Sequence, residues 1–191
     1  GRGAMLNWPD GRERCPWANP KNPLYIEYHD HEWGVPEHDD RRLFELLVLE
    51  GFQAGLSWEC ILNRREGFRV AFDGFDPEKV AAYGERELEA LRADGRIIRN
   101  RLKIAAAPLN ARAFLQIQRE FGSFDHWLWA HTGGRTLRET GLTRSPLSDG
   151  ISRELKARGM KFVGSTIIYA FLQAAGVINS HEPGCFLAGE S

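Results

Sequence analysis

The chain has 191 residues, is 42% apolar and 27% charged, and carries a formal net charge of −1. Those values suit one large globular domain with ample material for a core, and they exclude a protein drawn to nucleic acid by its overall charge. No apolar run is long enough for a membrane-spanning helix, and three scattered cysteines make no disulfide framework, so a reducing, cytoplasmic setting is expected.

"GRGAM" reads as a cloning remnant ahead of Met5, and no signal-peptide pattern follows it. "YHDHEWGVP" (28–36) then sets two histidines one residue apart among acids. From there apolar residues recur at helical spacing almost throughout, which predicts an all-α fold. "DDRRLFELLVLEG" starts at Asp39 or Asp40 as cap and stops at Gly51. "SWECILNRREGFRVAF" begins a second helix at Ser57, and "FDPEKVAAY" has Asp76 as cap with Pro77 in the first turn. "RELEALRA" leads through the basic turn "DGRIIRNR" to "LKIAAAPLNARAFLQIQREFG", which Pro108 should kink or split. "SFDHWLWAHTG", "SDGISRELKARG" and "STIIYAFLQAAG" complete the set, the last two closing at Gly159 and Gly176.

Charge is unevenly spread along this series. Residues 27–50 hold eight acids against two arginines, while residues 92–119 hold seven bases against Asp94 alone. The second segment permits a local phosphate-binding face on a near-neutral protein. A Gly-containing turn between two helices can aim backbone N–H groups at a phosphate, with Arg96, Arg99, Arg101 and Lys103 adding charge; the same arginines would also suit an ordinary solvated hairpin.

Glu50 lies seven residues after Leu43, four after Leu46 and three after Leu47, so on a helix it shares their buried face. An unpaired carboxylate there costs several kcal/mol, roughly, unless the helix end frays into water or a ligand meets it. The small residues Gly51, Ala54 and Gly55, followed by Trp58, suit a slot for a flat, polar or cationic ring.

Soft metal ligands are available too. "HEPGC" places His181 and Cys185 four residues apart, as two ligands of one zinc would be. Cys15 with one histidine of "YHDHEWG" would complete a closed Cys2His2 set, and spacing does not choose between His29 and His31. Four protein ligands would make the ion structural, since catalysis needs an open position.

Taken together, "RCPW", "PLYIEYHDHEWGVP", "LFELLVLEGFQAGLSW", "FDPEKVA", "IIRNRLKI", "NARAFL" and "LKARGMKFVGSTIIYAFLQAAGVINSH", with the closing cysteine, resemble the constitutive bacterial type I 3-methyladenine DNA glycosylases, in order from Arg14 to Cys185. The resemblance implies a helix-hairpin-helix glycosylase fold in one domain over residues 6–191, with two helical lobes. The terminal segments would form a zinc lobe, and helices over about residues 75–140 would carry the hairpin. It places one structural zinc on Cys15, His29, His181 and Cys185, leaving His31 a bystander. It puts base recognition and catalysis on Glu50, with Tyr28, Trp58, Trp17 and Tyr25 as the aromatic pocket and Trp33 in support. The hairpin maps to Asp94–Arg101, including Gly95 and Ile97. The substrate implied is alkylated double-stranded DNA, from which a monomer would excise 3-methyladenine, with Leu56, in the loop between Gly55 and Ser57, as the candidate wedge that opens the duplex or else a core residue. Two departures stand out: the hairpin lacks the wider superfamily's G-x-G spacing, and Pro108 falls where a helix former is expected. Asp125 lies where that superfamily keeps a catalytic aspartate, without a supporting motif. Two other readings follow from the residues: a hydrolase with an open metal at His29, Asp30 and His31, and a damage-binding domain without catalysis.

Overall fold

A computed structural model describes residues 6–8 and 10–188; the "GRGAM" segment lies outside the described residues. Helices dominate them: α1 (Pro23–His31), α2 (Asp40–Gln53), α3 (Trp58–Asn63), α4 (Arg65–Ala71), a 3-10 turn (Asp73–Phe75), α5 (Pro77–Ala81), α6 (Glu85–Arg92), α7 (Arg101–Phe121), α8 (Phe124–Ala130), α9 (Pro146–Ala157) and α10 (Ser165–Ala174). Two short pairings accompany them, β1 (Leu6–Asn7) antiparallel to β2 (Glu13–Arg14), and β3 (Leu137–Arg138) parallel to β4 (Ile178–Asn179). One continuous apolar core runs from Leu43 on α2 to Ile178 on β4 and takes in α7 to α10. No helix of the described residues is long and apolar enough to cross a membrane.

Several element boundaries differ from the sequence reading. The helix α1 was not foreseen, although Asn22 caps it by accepting from the Leu24 N–H and Pro23 opens it. Helix α2 passes through Gly51 to Gln53, because burial of Phe52 outweighs the roughly 1 kcal/mol that a mid-helix glycine costs. The stretch expected as one helix from Ser57 breaks at Arg64, whose N–H turns back to the Ile61 carbonyl; the redirected chain buries Arg65 and Phe68. Pro108, by contrast, neither ends nor splits α7. Its ring is buried with Ile104, Ala107, Ala111 and Phe114, and that packing outweighs the hydrogen bond proline forfeits.

Two contacts fix what matters for the site. The α6–α7 hairpin turn rests on α4, where a Cβ added at Gly67 would lie 2.7 Å from the Arg96 carbonyl oxygen. Helix α10 is followed by Gly176, in the left-handed region at φ 75°, where an added Cβ would collide with the Val35 carbonyl carbon. The segment after α1 is also stitched to α10 by Gly34 N–H to the Gln173 carbonyl and Glu37 N–H to the Ala175 carbonyl, both 2.8 Å. The segments around Cys15 and Cys185 also meet, through the Phe186 N–H to the Glu13 carbonyl at 2.8 Å.

Candidate active site and metal centre

The convergence brings Cys15, His29, His181 and Cys185 together, all buried, with one donor atom from each lying within 4.8 Å of all the others. Cys15 Sγ is 3.6 Å from His181 Nδ1, and Cys185 Sγ lies 3.5 Å from His29 Nε2 and 3.6 Å from His181 Nδ1. A tetrahedral ion with ordinary sulfur and nitrogen bond lengths requires an S···N separation of about 3.6 Å, so the donor set fits one metal ion. The outward ring nitrogens fit as well. His29 Nδ1 meets Asp30 Oδ1 at 2.8 Å, and His181 Nε2 meets the Trp33 carbonyl at 2.8 Å, so each ring can donate outward and keep a lone pair toward the centre. Asp30 is held in turn by Arg14 through two 2.8 Å hydrogen bonds, which Asp10 steadies from outside. As free thiols, Cys15 is pushed up by its hydrogen bond to Cys185 and by burial, while Cys185 is pulled down. A cation would let both be thiolates.

His31 lies two residues further along α1, about 200° around the helix, with 65% of its side chain exposed. Spacing left the two histidines open; the fold turns His29 inward and His31 to water. Asp30 is already committed to Arg14 and His29. An open centre built on His29, Asp30 and His31 therefore has no support.

This Cys2His2 group backs directly onto a second feature. Trp17 lies 5.1 Å from the His29 ring and Trp33 lies 4.7 Å from the His181 ring, centroid to centroid. Their other sides wall a cavity of about 240 Å³, lined by Trp17, Tyr25, Tyr28, Trp33, Glu50, Gln53, Trp58, Ala170 and Gln173. Tyr28 and Trp58 stand 5.2 Å apart, and Trp17 and Tyr25 stand 5.4 Å apart. All five expected aromatic residues are here. Gln53, Ala170 and Gln173 were not foreseen: Gln53 is one turn beyond Glu50 and could have been read from register, whereas the α10 residues arrive only through tertiary packing.

Glu50 is 4% exposed and its carboxylate accepts no hydrogen bond from the described residues. Burial alone pushes its pKa up to about 8. Tyr28 is raised as well, by burial and then by the neighbouring Glu50 charge. A larger cavity of about 390 Å³ opens on the opposite side of α2, but its charged lining is already paired, Arg65 with Glu32 and Glu45, and Arg69 with Glu45. The smaller cavity holds the unspent chemistry.

The chain that brings these residues together is similar to known proteins in both sequence and structure. The chain matches the family model described as methyladenine glycosylase over residues 17–188. The chain belongs to the methyladenine glycosylase family. It is 49% identical over 180 residues to DNA-3-methyladenine glycosylase 1 of Escherichia coli (strain K12), covering 91% of this chain and 95% of that one. Among solved structures, 3-methyladenine DNA glycosylase I from Staphylococcus aureus, described for its recognition of 3-methyladenine, superposes with a TM-score of 0.87 at 34% identity, covering 99% of this chain and all of that one. A variant of 3-methyladenine DNA glycosylase I in complex with 3-methyladenine gives a TM-score of 0.86 at 35% identity, over 89% of this chain and 95% of that one.

The basic turn of this family member is more selective than its sequence suggested. Arg99 and Arg101 are exposed and form no ion pair among the described residues. Arg96 is exposed but bonds Asp94, with its Nη2 2.7 Å from Oδ2. Gly95 is exposed, Ile97 is buried, and Asn100 caps α7 by accepting from Leu102 and Lys103. The surface charge expected of Lys103 is corrected by the fold: its ammonium is buried and donates to the Phe52 and Ala54 carbonyls, both at 2.9 Å. Leu56, at 37% exposure, stands in the loop between α2 and α3 rather than in the core.

Proposed function

We propose that this glycosylase extrudes a 3-methyladenine nucleotide from alkylated duplex DNA into the Glu50 cavity and hydrolyses the bond between N9 and the deoxyribose, leaving an abasic site. The observation that carries the reading is a buried carboxyl, without a hydrogen-bond partner among the described residues, at the floor of an aromatic-walled slot. Methylation at N3 makes the attached purine cationic. Its charge is attracted by aromatic faces and favours the ionised form of Glu50, while its adenine edge offers N–H donors to the carboxylate. Tyr28 and Trp58 hold the ring, with Trp17, Tyr25 and Trp33 closing the slot. A neutral purine gives Glu50 no such inducement to ionise. When C1′–N9 breaks, the bonding pair passes to N9, the base leaves neutral, and water adds to the sugar cation and gives up a proton to solvent. The cationic leaving group reduces the need for acid catalysis.

Extrusion costs a few kcal/mol, roughly, which phosphate contacts and a wedge offset. The α6–α7 pair serves as the helix-hairpin-helix element, with Gly95, Arg96, Ile97, Arg99 and Arg101 at the DNA backbone and Leu56 in the stack. The Cys2His2 centre holds one structural Zn2+, which fixes the wall carrying Trp17 and Trp33. The protein acts as a cytoplasmic monomer with one glycosylase domain: the terminal segments form the metal lobe, and helices over about 75–140 carry the hairpin.

The test is release of free base from methylated duplex DNA. Strong preference for 3-methyladenine over 7-methylguanine is expected. Binding without release would identify a damage-recognition domain.

A further inference from the structure

Helix α7 begins at the hairpin, and two polar side chains on it are buried away from the DNA-facing arginines. Lys103 donates to the carbonyls of Phe52, at the end of α2, and Ala54, in the loop that carries Leu56. No carboxylate pairs with its ammonium among the described residues, so the carbonyl oxygens at the negative end of α2 are its compensation. Asn110 lies seven residues on, about 10 Å along the axis and on the same face. It grips the backbone of Lys161 from both sides, Nδ2 to the carbonyl at 3.0 Å and Oδ1 from the N–H at 2.8 Å.

One gripped segment is the C-terminal end of the helix that carries Glu50 with the loop after it, and the other packs beside that helix. Phe162, next to Lys161, holds a left-handed backbone at φ 59°, a conformation costly for an aromatic residue and sustained only where the surroundings enforce it. Asn110 holds one side, and Ser152 donates to the Val163 carbonyl at 2.7 Å on the other. The Phe162 backbone oxygen would then lie 3.5 Å from a Cβ at Gly51, immediately after Glu50.

We propose that Lys103 and Asn110 are positioning residues: together they make α7 a rail that registers the Leu56 loop and the Phe162 loop against the hairpin, so that seating the hairpin on DNA phosphates brings the wedge and the Glu50 pocket to the lesion. This rests on the glycosylase reading above and deepens it. A phosphate grip is useful for flipping only if its distance to the pocket is fixed, and a misplacement of about 1 Å costs up to a hundredfold in rate. The Leu56 loop is closed on itself by the Leu56 N–H to the Gln53 carbonyl at 2.7 Å, and the buried Lys103 ammonium ties its Ala54 carbonyl to α7 at 2.9 Å.

The experiment compares wild type, Lys103→Met and Asn110→Asp on methylated duplex and on single-stranded DNA of the same sequence, with binding of free 3-methyladenine followed by tryptophan fluorescence. Asn110→Asp keeps the acceptor for the Lys161 N–H, loses the donor to its carbonyl, and carries the test should Lys103→Met fail to fold. Excision from duplex is expected to fall about tenfold or more in kcat, with single-strand excision and free-base affinity within about twofold of wild type. Equal losses on both substrates, or wild-type duplex turnover in Asn110→Asp, would overturn the rail. Absence of base release by wild type would instead remove the glycosylase reading, so the two failures are distinct.

Discussion

Helix α2 buries two glutamates, and they are treated in opposite ways. Glu45 points to the side of α4, where Arg69 Nε reaches it at 2.6 Å and Arg65 Nε at 3.2 Å. Burial pushes its pKa up, but the Arg69 hydrogen bond and the Arg65 charge outweigh that and hold it below the ordinary value. Glu50, five residues on and about 140° around the helix, has burial and nothing to offset it, and rises to about 8. The same side chain on the same helix is thus a structural anchor in one place and an unsatisfied group in the other. Burial of charge alone does not mark a site; burial left uncompensated, facing a cavity, does.

The largest expected effect breaks the pair at its functional end. Glu50→Gln keeps the shape but cannot ionise for a cationic base, and excision of 3-methyladenine should fall about a hundredfold or more, as for loss of a preorganised electrostatic contact. The matching change, Glu45→Gln, should cost roughly 3 kcal/mol of stability by leaving Arg65 and Arg69 under-compensated. Its folded fraction should still bind free 3-methyladenine normally. Thermal or urea unfolding, read beside base-binding titrations, separates the two.

Stability against pH sharpens the contrast further. Glu50 binds a proton more tightly folded than unfolded, so its share of stability is complete below about pH 4.5 and is lost as pH rises toward 8. Glu50→Gln should therefore match wild-type stability in acid and exceed it by a few kcal/mol, roughly, above pH 8. Glu45 runs the other way: its contribution is present above about pH 4.5 and fades as acid reaches its lowered pKa. Removing metal should loosen the terminal segments and lower the melting temperature, with activity falling as the Trp17–Trp33 wall is lost. Intact folding with abolished activity after chelation would point to a catalytic ion instead. The smallest effects belong to Arg99→Ala and Arg101→Ala, each expected to weaken duplex binding modestly and to reduce the salt dependence by about one ion.

How much of this was legible in the sequence differs residue by residue. Glu50 was legible because helical register alone places it with Leu43, Leu46 and Leu47. Glu45 was not, because its arginines lie 20 and 24 residues away and no local signal announces the pairing. The cysteines and His181 form a candidate set by residue type, and the family resemblance rather than spacing selects His29; the physical reason for that selection is the orientation of α1, whose Asn22–Pro23 start is visible in the sequence. Lys103 was misassigned to the surface because a basic segment reads as solvated until its neighbours are known. Pro108 misled in the same direction: a local rule against proline was overruled by burial on both sides of it.

The central claim concerns the protonation of one carboxyl, and it can be observed directly. In protein labelled with ¹³C at glutamate side-chain carboxyls, the Glu50 resonance, assigned by its absence in Glu50→Gln, should titrate with a midpoint near 8 in the free protein and ionise at lower pH when a cationic methylated purine is bound. A midpoint at the ordinary carboxylate value, unmoved by the base, would contradict the account.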